Sequence, residues 1–215
     1  MNSELQDTVA KIRTSTPELA VQILVVFIIP IVLINTGIIP IEYRVPVLAI
    51  LVTTLCIFLV AEKWTLRMLG FRRTVPLKTI LAYTLFTIVG VWAISRLGRY
   101  LGYTPTDTWW QVPHFLYLFF IVSAFQEIAY RGYLMPALAT FEKSPVALIV
   151  TNAALFTFLH SVFPNYSINL PLAFVGGIGF ACMYYKYPNM LAITLSHAVL
   201  NFAAVWYGFF TVAGF

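Results

Sequence analysis

Between Ser144 and Tyr185 the chain runs for 42 residues without an Asp, Glu, Lys or Arg. A hydrocarbon core about 30 Å thick takes about 20 helical residues to cross, so this run is too long for one crossing and suits two. Phe163-Pro164-Asn165-Tyr166 supplies the break between them. Similar uncharged runs, bounded by proline and charge, predict seven spanning helices at about 18–40, 45–62, 76–97, 113–136, 145–162, 168–185 and 189–212. Pro30 is expected to kink the first, and Pro136 to end the fourth.

Composition agrees with this reading. Apolar residues make up 60% and charged residues 10%, against roughly 45–50% and about 25% in a soluble domain. A soluble globular fold is excluded, and the expected class is all-α, a polytopic membrane bundle of about seven helices, or eight if 99–111 holds an interfacial helix carrying Trp109 and Trp110. Residues 1–17 read as a cytoplasmic tail, since the first eighteen residues are polar and open onto a 23-residue uncharged run without a signal-peptide cleavage pattern. Residues 18–112 read as N-terminal membrane helices, and 113–215 as the core that carries the polar motifs.

The net charge of +5 does not point to nucleic acid, because Lys and Arg sit between apolar runs. The tail and the loops on its side hold Lys11, Arg13, Lys63, Arg67, Arg72, Arg73, Lys78, Lys143 and Lys186, nine cations against Arg44, Arg96 and Arg99 on the other side. Positive charge favours the inner side, so the N-terminus is expected in the cytoplasm. Cys56 and Cys182 have apolar neighbours and form neither a disulfide framework nor a zinc motif. There is no Walker-type glycine loop, no arginine ladder and no internal repeat, which argues against pumps, voltage sensors and inverted-repeat transporters.

Ionisable groups at membrane depth cost roughly 2.5–3.5 kcal/mol on insertion scales and face a bundle interior or a cavity. Four constellations qualify: Gln126-Glu127-Ile-Ala-Tyr130-Arg131-Gly132, Phe156-Thr-Phe-Leu-His160, Gly176-Gly177-Ile-Gly179 and His197-Ala-Val-Leu-Asn201. Glu127 and Arg131 share a helical face, as do His197 and Asn201. Each pair alone fits either a packing contact or chemistry, and the glycines fit either close helix packing or room for an extended substrate. His114, beside Pro113 at a helix start, is explained by an interfacial position. At a rise of about 1.5 Å per residue, Glu127 lies roughly 20 Å below the outer start and His197 about 12 Å above the inner one, while His160, about 22 Å above Pro145, stands too high, so either a helix boundary or tilt differs or His160 does not join the site.

Taken in order, the motifs resemble the CPBP family, the CAAX-protease and bacteriocin-processing membrane proteins also called Abi proteins. Their pattern is Glu-Glu-x-x-x-Arg, then Phe-x-x-x-His, then His-x-x-x-Asn or Asp, and the resemblance covers about residues 113–205. It implies motif helices around a conical cavity and peptide-bond hydrolysis, in which a glutamate of the first motif and the histidine of the second activate a water while the closing His and Asn stabilise the oxyanion. It implies a membrane protein or peptide as substrate, including lipidated ones, and a bacterial or archaeal cell membrane as the setting. The candidate catalytic residues are Glu127, His160, His197, Asn201, Gln126 and Arg131.

The chain departs from the pattern at the first glutamate, which is Gln126. A carboxamide does not accept a proton near neutral pH. Glu127 takes the role of base, or the site is a non-catalytic peptide-binding or immunity variant, or the Glu-to-Gln exchange is an introduced trap; retention of the other five residues favours the first. No cofactor is expected. The rival is a zinc held by Glu127, His160 and His197 with an open water position, although no His-Glu-x-x-His pair is present.

Overall fold

A computed structural model describes residues 3–105, 115–163 and 165–210. His114, Trp109, Trp110, Pro113 and Pro164 lie outside them, so the proposed interfacial helix is left as an expectation. The described residues form eight helices and no strand: α1 (Ser3–Lys11), α2 (Thr16–Asn35), α3 (Arg44–Ala61), α4 (Leu77–Tyr100), α5 (115–141), α6 (Pro145–Val162), α7 (Tyr166–Lys186) and α8 (Met190–Trp206). Helices α2 to α8 correspond to the seven apolar runs. Four of them, α2, α4, α6 and α7, are long and apolar enough to cross a membrane by length and composition. The outward faces carry bare apolar side chains, among them Val60, Trp92 and Val175, which is stable against lipid and would not be against water.

The polar N-terminus contains a helix, α1, whose Leu5 packs into the core with Met135 and Tyr184. One expectation is corrected: Pro136 does not end its helix. Proline lacks the N–H that would bond back one turn and crowds the carbonyl there, and α5 absorbs it by widening into a π turn at Ile128–Leu134 before returning to α-helix at Met135–Phe141. Pro30 is accommodated likewise, by a π turn at Leu24–Ile28 of α2. The two widened turns meet: the Phe27 ring lies 5.1 Å from that of Tyr130 and 6.3 Å from that of Tyr133.

Helix α5 is the axis of the bundle. Tyr133, Leu134, Met135, Ala137 and Ala139 have no exposed surface, because α5 contributes to two cores at once. One side packs Tyr130, Tyr133 and Leu134 against α2, Leu55 of α3 and Phe156 of α6; the other packs Met135 and Ala139 against α4, α7 and α8. Helices α6 and α7 form a hairpin beside it, and α8 lies between α4 and α5, antiparallel to α5.

The loop after α3 is fastened beneath α5. Gly70 adopts φ +86°, its carbonyl accepts the Met190 N–H at 2.9 Å, and the neighbouring Leu69 carbonyl accepts the Tyr184 hydroxyl at 3.2 Å. A Cβ on Gly70 would stand 2.1 Å from the Tyr184 hydroxyl oxygen. Gly70→Ala is therefore strained in its backbone and overpacked, and should lower stability by about 1–3 kcal/mol. Thermal unfolding in detergent micelles measures this; an unchanged midpoint would contradict it.

Candidate active site

The last α-helical residue before the π turn of α5 is Glu127, and Arg131 lies within the turn. Neither has exposed surface. Arg131 Nη1 donates to Glu127 Oε1 at 3.1 Å and Nη2 to the Gly177 carbonyl of α7 at 3.2 Å. The guanidinium carbon sits 4.5 Å from the Phe156 ring centre and 5.4 Å from that of Phe180, so two aromatic faces share in holding the cation. From α8, His197 Nδ1 bonds the same Glu127 Oε1 at 2.6 Å. One carboxylate oxygen thus holds a guanidinium and an imidazole from two helices.

The other oxygen is left over. Glu127 Oε2 is buried and has no hydrogen-bond partner among the described residues, as is the case for Gln126 Oε1, Arg131 Nε and Asn152 Oδ1. Glu127 Oε2 and Gln126 Oε1 are acceptors and Arg131 Nε is a donor. Because a carboxylate can only accept, His197 Nδ1 carries the hydrogen of that bond, which leaves Nε2 to face a ligand.

One turn earlier on α5 and one turn later on α8, Asn201 Nδ2 donates to Ser123 Oγ at 3.2 Å. The two helices therefore face each other in two rungs, Glu127 with His197 and Ser123 with Asn201. His160 belongs to the upper level. It ends α6 one turn beyond Phe156, its ring centre 4.7 Å from that of Phe156, while His197 lies 5.6 Å from the same ring. Its Nδ1 bonds the Phe156 carbonyl at 2.9 Å, and since a carbonyl only accepts, Nε2 keeps a lone pair. His160 shares the Phe156 ring with His197.

Glu127, His160 and His197 are not gathered as zinc ligands. Among the described residues no three His, Cys, Asp or Glu side chains come together in a way that holds a metal ion. The glycines of α7 divide by role. A Cβ on Gly177 would stand 3.2 Å from the Ala153 Cα, and one on Gly179 would meet Phe86 at 2.8 Å; one on Gly176 would meet only Phe180, at 3.9 Å. The first two are packing positions, and Gly176 is the one with room for a Cβ at ordinary contact distance.

Sequence reading missed Ser123 and Asn152. Asn152 is fully buried on α6 and donates to the Tyr130 carbonyl at 2.7 Å. A signal was available, because Ser123 precedes Glu127 by one turn and Asn152 precedes Phe156 by one turn.

Fold and site together define a helical membrane protein with a charged polar site enclosed inside the bundle. Residues 108–203 match the family model described as type II CAAX prenyl endopeptidase Rce1-like. This is the family that the motifs resemble, and the matched segment contains Gln126, Glu127, Arg131, Phe156, His160, His197 and Asn201. Comparison with curated proteins gives no match, nor does comparison with solved structures.

Removing one partner of a buried ion pair strands the other charge and costs about 3–5 kcal/mol, whereas replacing both by apolar groups costs much less. Arg131→Leu should therefore destabilise the protein more than the double substitution Glu127→Leu with Arg131→Leu. Unfolding of the set in micelles tests this; additive losses would show that the two residues are not a pair.

Proposed function

We propose that this chain is an intramembrane endopeptidase that hydrolyses a peptide bond of a membrane-associated protein or peptide, at a lipidated CAAX-like C-terminus, a leader or a C-terminal sorting segment. The observation that carries the reading is the two-rung face of α5 and α8, with an unpartnered Glu127 oxygen beside it, inside the segment that matches the endopeptidase family. The N-terminus faces the cytoplasm, and the membrane is that of a bacterial or archaeal cell.

In this reading Glu127 Oε2 is the base. Arg131 and His197 fix Oε1, so the free oxygen is held in place and takes a proton from a water molecule. The resulting hydroxide adds to the scissile carbonyl carbon, and the carbonyl oxygen becomes an oxyanion. Asn201 donates to it through Nδ2, and His197, as the imidazolium, donates through Nε2. The proton then passes from Glu127 to the leaving nitrogen as the C–N bond breaks, with the His160 lone pair as a relay. Gln126 contributes a carboxamide acceptor and no base.

A second reading, a peptide-binding protein without turnover, is favoured by one observation, Gln126 in place of the first glutamate. Terminal proteomics separates the two on membranes from cells expressing the chain, its Glu127→Ala variant and its Gln126→Glu variant. The peptidase reading expects new peptide termini with the parent and none with Glu127→Ala, each normalised to folded protein because Glu127→Ala unpairs Arg131. Termini only with Gln126→Glu would identify a disabled enzyme and overturn it.

Asn201 offers a cleaner kinetic test, since it lies outside the ion pair. Loss of one oxyanion donor costs roughly 10²–10³-fold in kcat, and Asn201→Ala should show that loss on a farnesylated peptide with its thermal unfolding nearly unchanged. Full turnover by this variant would remove Asn201 from the mechanism.

A further inference from the structure

The π turn of α5 has an external support that the motif residues do not supply. In a π turn each carbonyl accepts from the fifth residue on, in place of the fourth, and the Tyr130 carbonyl does so from the Met135 N–H. Its second acceptor site is taken by Asn152 Nδ2 of α6, at 2.7 Å. Asn152 has no exposed surface, and it makes this bond in an interior otherwise filled by Tyr130, Phe156 and Ala153.

The turn begins directly after Glu127 and contains Arg131. The Tyr130 carbonyl belongs to the planar peptide group that joins Tyr130 to Arg131, so a bond on it fixes that plane and with it the Cα from which the Arg131 side chain leaves towards Glu127 Oε1. Pro136 favours the wide turn by lacking an N–H, but nothing in Pro136 fixes which carbonyl is held. Asn152 does.

We infer that Asn152 is a positioning residue for the site: its carboxamide clamps the Tyr130 carbonyl, fixes the peptide plane from which Arg131 leaves the π turn, and so keeps Arg131 on the carboxylate that the mechanism uses. The inference rests on the endopeptidase reading for its kinetic consequence and on geometry alone for its structural one.

The test compares the chain with Asn152→Leu and Asn152→Asp in two measurements. The first is turnover of a farnesylated peptide across pH. Misplacing a site from a distance costs up to about 10²-fold in rate, so Asn152→Leu should lower kcat about 10- to 100-fold with KM nearly unchanged. Asn152→Asp keeps the shape and donates only when protonated, so it should recover activity as pH falls, a response that volume filling alone does not produce. The second is amide hydrogen exchange over 128–135, which needs no substrate. Faster exchange there in Asn152→Leu is expected, and unchanged protection would overturn the inference whether or not the chain cleaves anything. An inactive parent with altered exchange would instead count against the endopeptidase reading and sustain the clamp. Full activity in Asn152→Leu would also overturn the inference.

Discussion

A guanidinium and a carboxylate with no exposed surface, one turn apart on one helix, set the terms for everything around them. Stripping such charges of water costs several kcal/mol per ion, and attraction between the two offsets this only when geometry and further hydrogen bonds are good. The surroundings supply both. Gly177 gives a carbonyl, His197 gives an N–H, and Phe156 and Phe180 give ring faces. Four helices are thereby committed to one point: α5 carries the pair, and α6, α7 and α8 each bring a partner.

That convergence explains the local irregularities. Gly177 lacks a side chain because α6 comes close enough at Ala153 to crowd a Cβ, which is what allows the carbonyl of α7 to reach Arg131. The π turn sets the direction of Arg131, and π turns are frequent at functional sites. One carboxylate oxygen is consumed in holding the structure together, and in the proposed reaction the other is the base. A site fixed from four helices suits a reaction that depends on positioned groups and excluded water.

Much of this was legible from the residues. Charge-free runs locate the membrane helices because only helices satisfy their backbone internally in lipid. The pairs Glu127/Arg131 and His197/Asn201 are visible because polar groups at that depth are costly. Partnership across helices was not legible: nothing in the sequence joins Glu127 to His197 or Ser123 to Asn201, since such contacts depend on the direction and depth of packing. Pro136 misled for a definite reason. The rule that proline ends a helix assumes a regular α-helix, and α5 widens one turn earlier to make room for it. The packing of the N-terminal segment was not legible either, because α1 is polar on the whole yet places Leu5 in the core.

The central claim is that the Glu127–His197 and Ser123–Asn201 rungs face the substrate. A structure of the chain in a lipid nanodisc with a non-hydrolysable farnesylated peptide tests it most directly. The account predicts the scissile carbonyl within hydrogen-bond distance of His197 and Asn201, with its carbon facing Glu127 Oε2. A peptide bound on another face of the bundle, with those side chains still closed on one another, would contradict it.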